Sequence, residues 1–118
     1  MWKIVFYKKD NLEEPVRNFI ANLPGKERAK VVQEIENIRS EGIYLGLPFV
    51  KKIVGSEYKG LWELRVRFSS NYIRIIYFLH IKKTFVLLHG FKKKTNRTPK
   101  RELEIAKRRM IKYKNRRR

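Results

Sequence analysis

The stretch Leu61-Trp62-Glu63-Leu64-Arg65-Val66-Arg67-Phe68 alternates from Trp62 onward between apolar and charged side chains, the period of a half-buried β-strand. Trp62, Leu64, Val66 and Phe68 fall on one face, with Glu63, Arg65 and Arg67 on the other. Two neighbouring arginines on one face repel each other unless something anionic lies across them. The strand therefore points to a core on one side and to phosphate on the other.

Downstream, Tyr72 to Leu79 and Thr84 to Lys92 are rich in β-branched and aromatic residues and are separated by Ser69-Ser70-Asn71 and by Lys82-Lys83, which predicts an antiparallel meander. Upstream, residues 43–60 are irregular, punctuated by Gly46, Pro48, Gly55 and Gly60, with a brief extended stretch at Val50 to Val54. Trp2 to Tyr7 reads as a first strand with Trp2, Ile4 and Phe6 on one face. Asp10 and Asn11 then offer N-caps for a helix whose apolar positions Leu12, Val16, Phe19, Ile20 and Leu23 recur at helical intervals until Pro24-Gly25. A second helix is expected from Lys26 to Glu41, striped by Val31, Ile35 and Ile38 and stopped by Gly42. Thr98 and Pro99 make an N-cap and N1 pair for a last helix with Leu103, Ala106 and Met110 on its apolar side. The resulting β-α-α-β-β-β-α layout predicts an α+β domain, its helical hairpin on one face of a small, mainly antiparallel sheet and the other face open to a partner. One domain is expected over residues 1–111, followed by a basic tail, 112–118, that frays.

The chain of 118 residues has no cysteine, which excludes disulfides and thiolate metal sites. His80 and His89 are too few for a convincing transition-metal site, and no cofactor or metal is expected. No apolar run approaches the roughly 20 residues of a membrane span, and the N-terminal segment is too short and alternating for a signal peptide, so a cytoplasmic location away from membranes is expected. A glycine-rich phosphate loop, a GxSxG elbow and magnesium-type carboxylate clusters are missing from the sequence, which leaves kinase, nucleotide-hydrolase and serine-hydrolase readings without support.

The formal charge is +19 and is unevenly placed: residues 1–41 carry 8 basic and 7 acidic side chains, residues 42–118 carry 22 and 4. So lopsided a distribution suits a polyanion, because neutralising phosphates releases counterions and steers association. Glu63, Arg65 and Arg67 share a face, and Arg74 lies on the next strand within cross-strand reach. A carboxylate beside several cations is suited to cutting RNA: Glu63 would take the 2′-hydroxyl proton while the guanidiniums stabilise the charge that builds up on phosphorus. The competing reading is that Glu63 merely pairs with its arginine neighbours. In the third meander strand His89, Phe91 and Lys93 share parity, opposite Leu88, Gly90 and Lys92. His89 is a candidate general acid and Phe91 a base-stacking residue, or else both are ordinary core residues, while His80 reads as solvent-facing. Lys92, Lys93, Lys94, Arg97 and Lys100 are candidate phosphate contacts.

These residues also carry a family likeness. Leu61-Trp62-Glu63-Leu64-Arg65, Tyr72-Ile73-Arg74-Ile75-Ile76-Tyr77, Leu87-Leu88-His89-Gly90-Phe91 with Lys92-Lys93-Lys94-Thr95, and Thr98-Pro99 with Glu102 and Ala106 occur in an order that resembles RelE/ParE-type toxins, particularly the HigB group with its phage relatives. The resemblance implies the toxin of a type II toxin–antitoxin pair, a ribosome-dependent endoribonuclease that cuts messenger RNA under translation and so inhibits it. It further implies a helix-turn-helix, HigA-like antitoxin as partner. The family's phosphate-orienting basic positions carry over to Arg65, Arg67, Arg74 and Lys93. Some RelE relatives have a basic residue where this chain has Glu63, and their C-terminal catalytic tyrosine has no counterpart here. Two alternatives stay open: a ParE-like toxin that inhibits a topoisomerase, and a non-catalytic RNA- or ribosome-binding module.

Overall fold

The side chains that alternate along the meander sort themselves into two cores, one on each face of a five-stranded sheet. The computed structural model of the protein describes residues 1–116. Its elements are β1 (Lys3–Phe6), α1 (Pro15–Ala21), α2 (Gly25–Glu41), β2 (Val50–Lys52), β3 (Leu61–Phe68), β4 (Asn71–His80), β5 (Thr84–Lys93) and α3 (Lys100–Arg116), with two short 3₁₀ turns between α2 and β3. The strands lie in the order β1-β5-β4-β3-β2; β1 runs parallel to β5 and every other pair is antiparallel. The expected α+β architecture is present, with one strand more than the β-α-α-β-β-β-α layout because Val50–Lys52 pairs with the outer side of β3.

On the first face Leu64 and Val66 of β3, Ile73, Ile75 and Tyr77 of β4, and Phe85 and Leu87 of β5 pack against Val16 and Ile20 of α1 and Val31, Ile35 and Ile38 of α2. Trp2, Ile4, Phe6 and Trp62 border that core, as their parity predicts. Burial of this many aliphatic side chains, each contributing roughly 1.5–3 kcal/mol on removal from water, is what fixes the hairpin to the sheet. On the second face Leu61, Ile76, Phe78, Val86 and Leu88 lie beneath Ala106 and Met110 of α3, with Leu103 packed at the edge. The second face is therefore not open throughout, as the sequence suggested: α3 covers one end of it. The other end carries Arg65, Arg67 and Tyr72.

Local chemistry explains three further departures from the sequence reading. Helix α1 begins at Pro15 rather than after Asn11. Asn11 Oδ1 instead accepts the Glu13 amide at 3.0 Å, and Leu12 sits 73% exposed at φ 75°, an Asx-type turn that competes with helix formation. A register shift between Ile76 and Tyr77 inserts an extra residue into β5, so Leu88 joins the second core with Phe91 and Ala106 rather than facing the helical hairpin. The expected fraying from Lys112 is replaced by helix through Arg116, where Lys112 and Arg116 both bind the Asp10 carboxylate; the rest of the expected tail, positions 117 and 118, lies outside the described residues. Gly42 ends α2 at φ 57° with the Trp2 indole against it, leaving no room for a Cβ.

Candidate active site

Strand register brings the arginines together. Arg65 stands directly opposite Arg74, and Arg67 opposite Tyr72, across the β3–β4 ladder; Lys93 stands opposite Tyr72 on the other side. Like charges facing one another across a ladder are destabilising unless compensated, and the compensation is visible. Glu63 Oε1 lies 3.5 Å from Nε of both Arg65 and Arg74, and Glu63 Oε2 accepts a 2.6 Å hydrogen bond from the Thr98 hydroxyl. The carboxylate is 4% exposed.

Above the pair lies the segment that joins β5 to α3. Asn96 Oδ1 accepts hydrogen bonds from Nη2 of both Arg65, at 2.8 Å, and Arg74, and the Asn96 carbonyl accepts a second bond from Arg74 at 3.1 Å. The guanidiniums of Arg67 and Arg74 stand 4.8 and 5.3 Å from the centre of the Tyr72 ring, a cation–π arrangement that spreads charge over an aromatic face. Pro48, Arg65, Arg67, Tyr72, Arg74 and Asn96 line an open cleft of about 230 Å³. Exposure is graded within it: Arg67 is exposed and Arg65 partly so, whereas Arg74 is only 3% exposed. Burial pulls the Arg74 guanidinium below its ordinary range, Glu63 works against that and Arg65 adds to it; it stays charged, since arginine is not deprotonated in proteins.

The other expected site residues separate from this cleft. His89 lies under α3, with Nε2 2.6 Å from Glu102 Oε1 and Nδ1 3.3 Å from Arg109 Nη1. Because arginine can only donate, Nδ1 is the acceptor and Nε2 carries the proton donated to Glu102. Burial, with the Arg109 charge, pulls the His89 pKa down against the pull of Glu102. Phe91 is 7% exposed and stacked on His89 at 5.6 Å between ring centres, so the expected base-stacking platform is buried core; Tyr72 is the aromatic that reaches the cleft. Lys92 points to the opposite face, where its ammonium meets the buried Glu27 at 2.7 Å, and Lys94 donates to Asn71 Oδ1 at 2.7 Å. Arg97 and Lys100 are exposed on the segment entering α3. His80 is not a free solvent residue: it packs edge-on to Tyr113 at 5.2 Å.

Three contributors escaped the sequence reading. Tyr72 shares the parity of Arg74 and was readable in principle. Thr98 was expected to cap α3, but its hydroxyl goes to Glu63. Asn96 carries no local signal within a basic linker.

No helix among the described residues is long and apolar enough to cross a membrane, and no group of three or more histidine, aspartate or glutamate side chains among them could hold a metal ion. No curated protein matches the chain. A family profile does match, over residues 18–111, from the hairpin through most of α3 and including every residue of the cleft. The chain belongs to the family described as phage derived protein Gp49-like (DUF891).

Proposed function

We propose that this protein is the toxin of a type II toxin–antitoxin pair, of the RelE/HigB kind, and that it cuts messenger RNA on the ribosome. The observation that carries the reading is the convergence of Arg65, Arg67 and Arg74 with Tyr72 on one cleft. Membership of the Gp49-like family agrees with it. In the proposed reaction the ribose 2′-oxygen attacks the adjacent phosphorus, its proton passing to solvent. The P–O5′ bond breaks, the 5′-oxygen takes up a proton, and the products are a 2′,3′-cyclic phosphate and a 5′-hydroxyl. Charge on the equatorial phosphoryl oxygens is greatest midway, where fixed guanidiniums lower the barrier most. Arg67 meets the incoming phosphate first, Arg65 and Arg74 hold it, and Lys93 adds a fourth cation at the same end of the face.

Glu63 takes a different part from the one first suggested by its sequence position. A carboxylate that is 4% exposed, with one oxygen on Thr98 and the other between two guanidiniums, is placed to orient the arginines rather than to reach a 2′-hydroxyl. His89, with both ring nitrogens engaged beneath α3, belongs to the core that seats the helix. Lys94, Arg97 and Lys100 act as outer phosphate contacts whose role is affinity rather than chemistry. A helix-turn-helix antitoxin is the partner expected of such a toxin.

In vitro translation with and without the protein, followed by primer extension on the message, tests the reading. New 5′ ends inside translated codons are expected, and their loss in Arg74→Ala should exceed the loss of ribosome binding. Intact messages with blocked topoisomerase turnover would refute it in favour of a ParE-like inhibitor, and intact messages with ribosome binding alone would leave an RNA-binding module.

A further inference from the structure

The cleft as it stands cannot receive a phosphate at its deepest arginine. Arg74 is 3% exposed, and the outward Nη2 donors of Arg65 and Arg74 both end on one atom, Asn96 Oδ1. A single oxygen shared by two guanidiniums is how a phosphoryl oxygen is gripped. Here the oxygen belongs to a neutral amide on an exposed segment of the chain itself. Beneath it, Arg74 Nε is buried without a hydrogen-bond partner, its contact with Glu63 being an ion pair at 3.5 Å. A buried donor left without an acceptor is costly, by about 1–3 kcal/mol, and marks the floor of the cleft as unsatisfied.

We propose that Asn96 is a displaceable stand-in for the scissile phosphate: its amide oxygen occupies the oxyanion seat between Arg65 and Arg74 and must swing out when RNA binds. The inference rests on the reading of this cleft as the phosphate site and adds its regulation. Asn96 is well suited to the task because it is uncharged. It satisfies the guanidinium donors, so the arginines keep their positions in the free protein, yet it holds them more weakly than a phosphoryl oxyanion does, since the amide oxygen offers a dipole where the oxyanion offers a full negative charge. The swing also has a mechanical consequence. Asn96 is two residues from Thr98, whose hydroxyl anchors on Glu63, so the moving segment is bounded by the same carboxylate that orients the arginines.

The test is binding of a fluorescein-labelled 2′-O-methyl RNA hexanucleotide, which cannot form the cyclic phosphate, to the full chain at constant salt. Asn96→Ala empties the seat and is expected to tighten binding by about 3- to 10-fold, the apparent affinity of a site rising as its competent fraction rises. Asn96→Asp fills the seat with a carboxylate and is expected to weaken binding about 10-fold or more. In an Arg74→Met background the gain from Asn96→Ala should vanish, which ties it to the seat and separates it from the general attraction of a basic surface. Weaker binding in Asn96→Ala would make Asn96 a scaffold for the arginines and overturn the proposal, as would changes under 2-fold in both variants. Thermal melting of each variant identifies a loss caused by unfolding, and in that event the parent protein decides: the Asn96 side-chain NH2 resonances should shift when the RNA is added, and resonances that stay in place at saturating RNA would overturn the proposal. If the parent protein cuts no message and the Asn96→Ala gain still appears, the nuclease reading falls while the seat stands. If messages are cut and no gain appears, the stand-in falls alone.

Discussion

Replacing Glu63 by Gln keeps the shape of the side chain and its ability to accept the Thr98 hydroxyl but removes the one negative charge between Arg65 and Arg74. At 3.5 Å from each guanidinium nitrogen, the attraction is roughly 5 kcal/mol per pair at an effective dielectric of about 20. Much of that offsets desolvation of the three groups and the repulsion of the two facing arginines. What remains visible on breaking a buried pair is about 3–5 kcal/mol, chiefly because the surviving charges are left uncompensated. Arg65 is partly exposed and can relax into water, so the lower half of that range, about 3 kcal/mol, is the expectation for Glu63→Gln. For a domain of this size that lowers the melting temperature by roughly 10 °C. The informative measurement is a double-mutant cycle by urea unfolding, with Glu63→Gln, Arg74→Met and the pair. Arg74→Met alone leaves Arg65 to share Glu63 and relieves one repulsion. The double variant should therefore lose less than the sum of the single losses by about 1–3 kcal/mol. A single-variant cost below about 1 kcal/mol, or strict additivity, would refute the claim that this carboxylate holds the arginines, and with it the orienting role assigned to Glu63.

Gly42→Ala drives a Cβ to within 1.9 Å of the Trp2 ring at φ 57° and should destabilise the fold by about 3 kcal/mol or more, read as a fall in the urea midpoint. Lys82 sits at φ 58° in the β4–β5 turn, so Lys82→Gly should raise stability by about 0.5–1 kcal/mol, with the melting temperature as the check. His89, faced by Glu102, Arg109 and Phe91, has its pKa lowered by burial. The unfolded chain therefore binds the proton more readily, and stability that is complete above about pH 6.5 should decline as pH falls below it; urea midpoints that stay flat between about pH 7 and 5.5 would contradict this. Exposed Arg67 contacts phosphate in the proposed complex, so Arg67→Ala should reduce the slope of log affinity against log salt for single-stranded RNA by about 0.7.

The parity of Leu61 to Phe68 was enough to place Glu63, Arg65 and Arg67 on one face, because a strand with one buried side has its register fixed by that burial. The same logic placed Trp2, Ile4 and Phe6, and the helical stripe of Val31, Ile35 and Ile38. Parity failed in β5, where an inserted residue turns Leu88 toward the second core, since a bulge leaves no mark in a run of apolar residues. Thr98 shows the limit of local rules: a good capping residue was drawn to a buried carboxylate distant in sequence, where a hydrogen bond is more consequential. The covering of Phe91 and His89 by α3 and the capping of Arg74 by Asn96 are likewise tertiary. They follow from where a linker crosses the sheet, which no spacing within either segment encodes.

The parallel pairing of β1 with β5 has a consequence for how the chain is made. Lys3–Phe6 leaves the ribosome about eighty residues ahead of its partner Thr84–Leu87, a delay of roughly 4–16 s at ordinary elongation rates. Throughout that interval the helical hairpin has no complete sheet to close upon. The arginine cleft also needs Asn96 and Thr98, so it matures only once the segment behind β5 is in place. On the proposed reading, a nascent chain cannot act on the ribosome that is producing it until the segment behind β5 has been made.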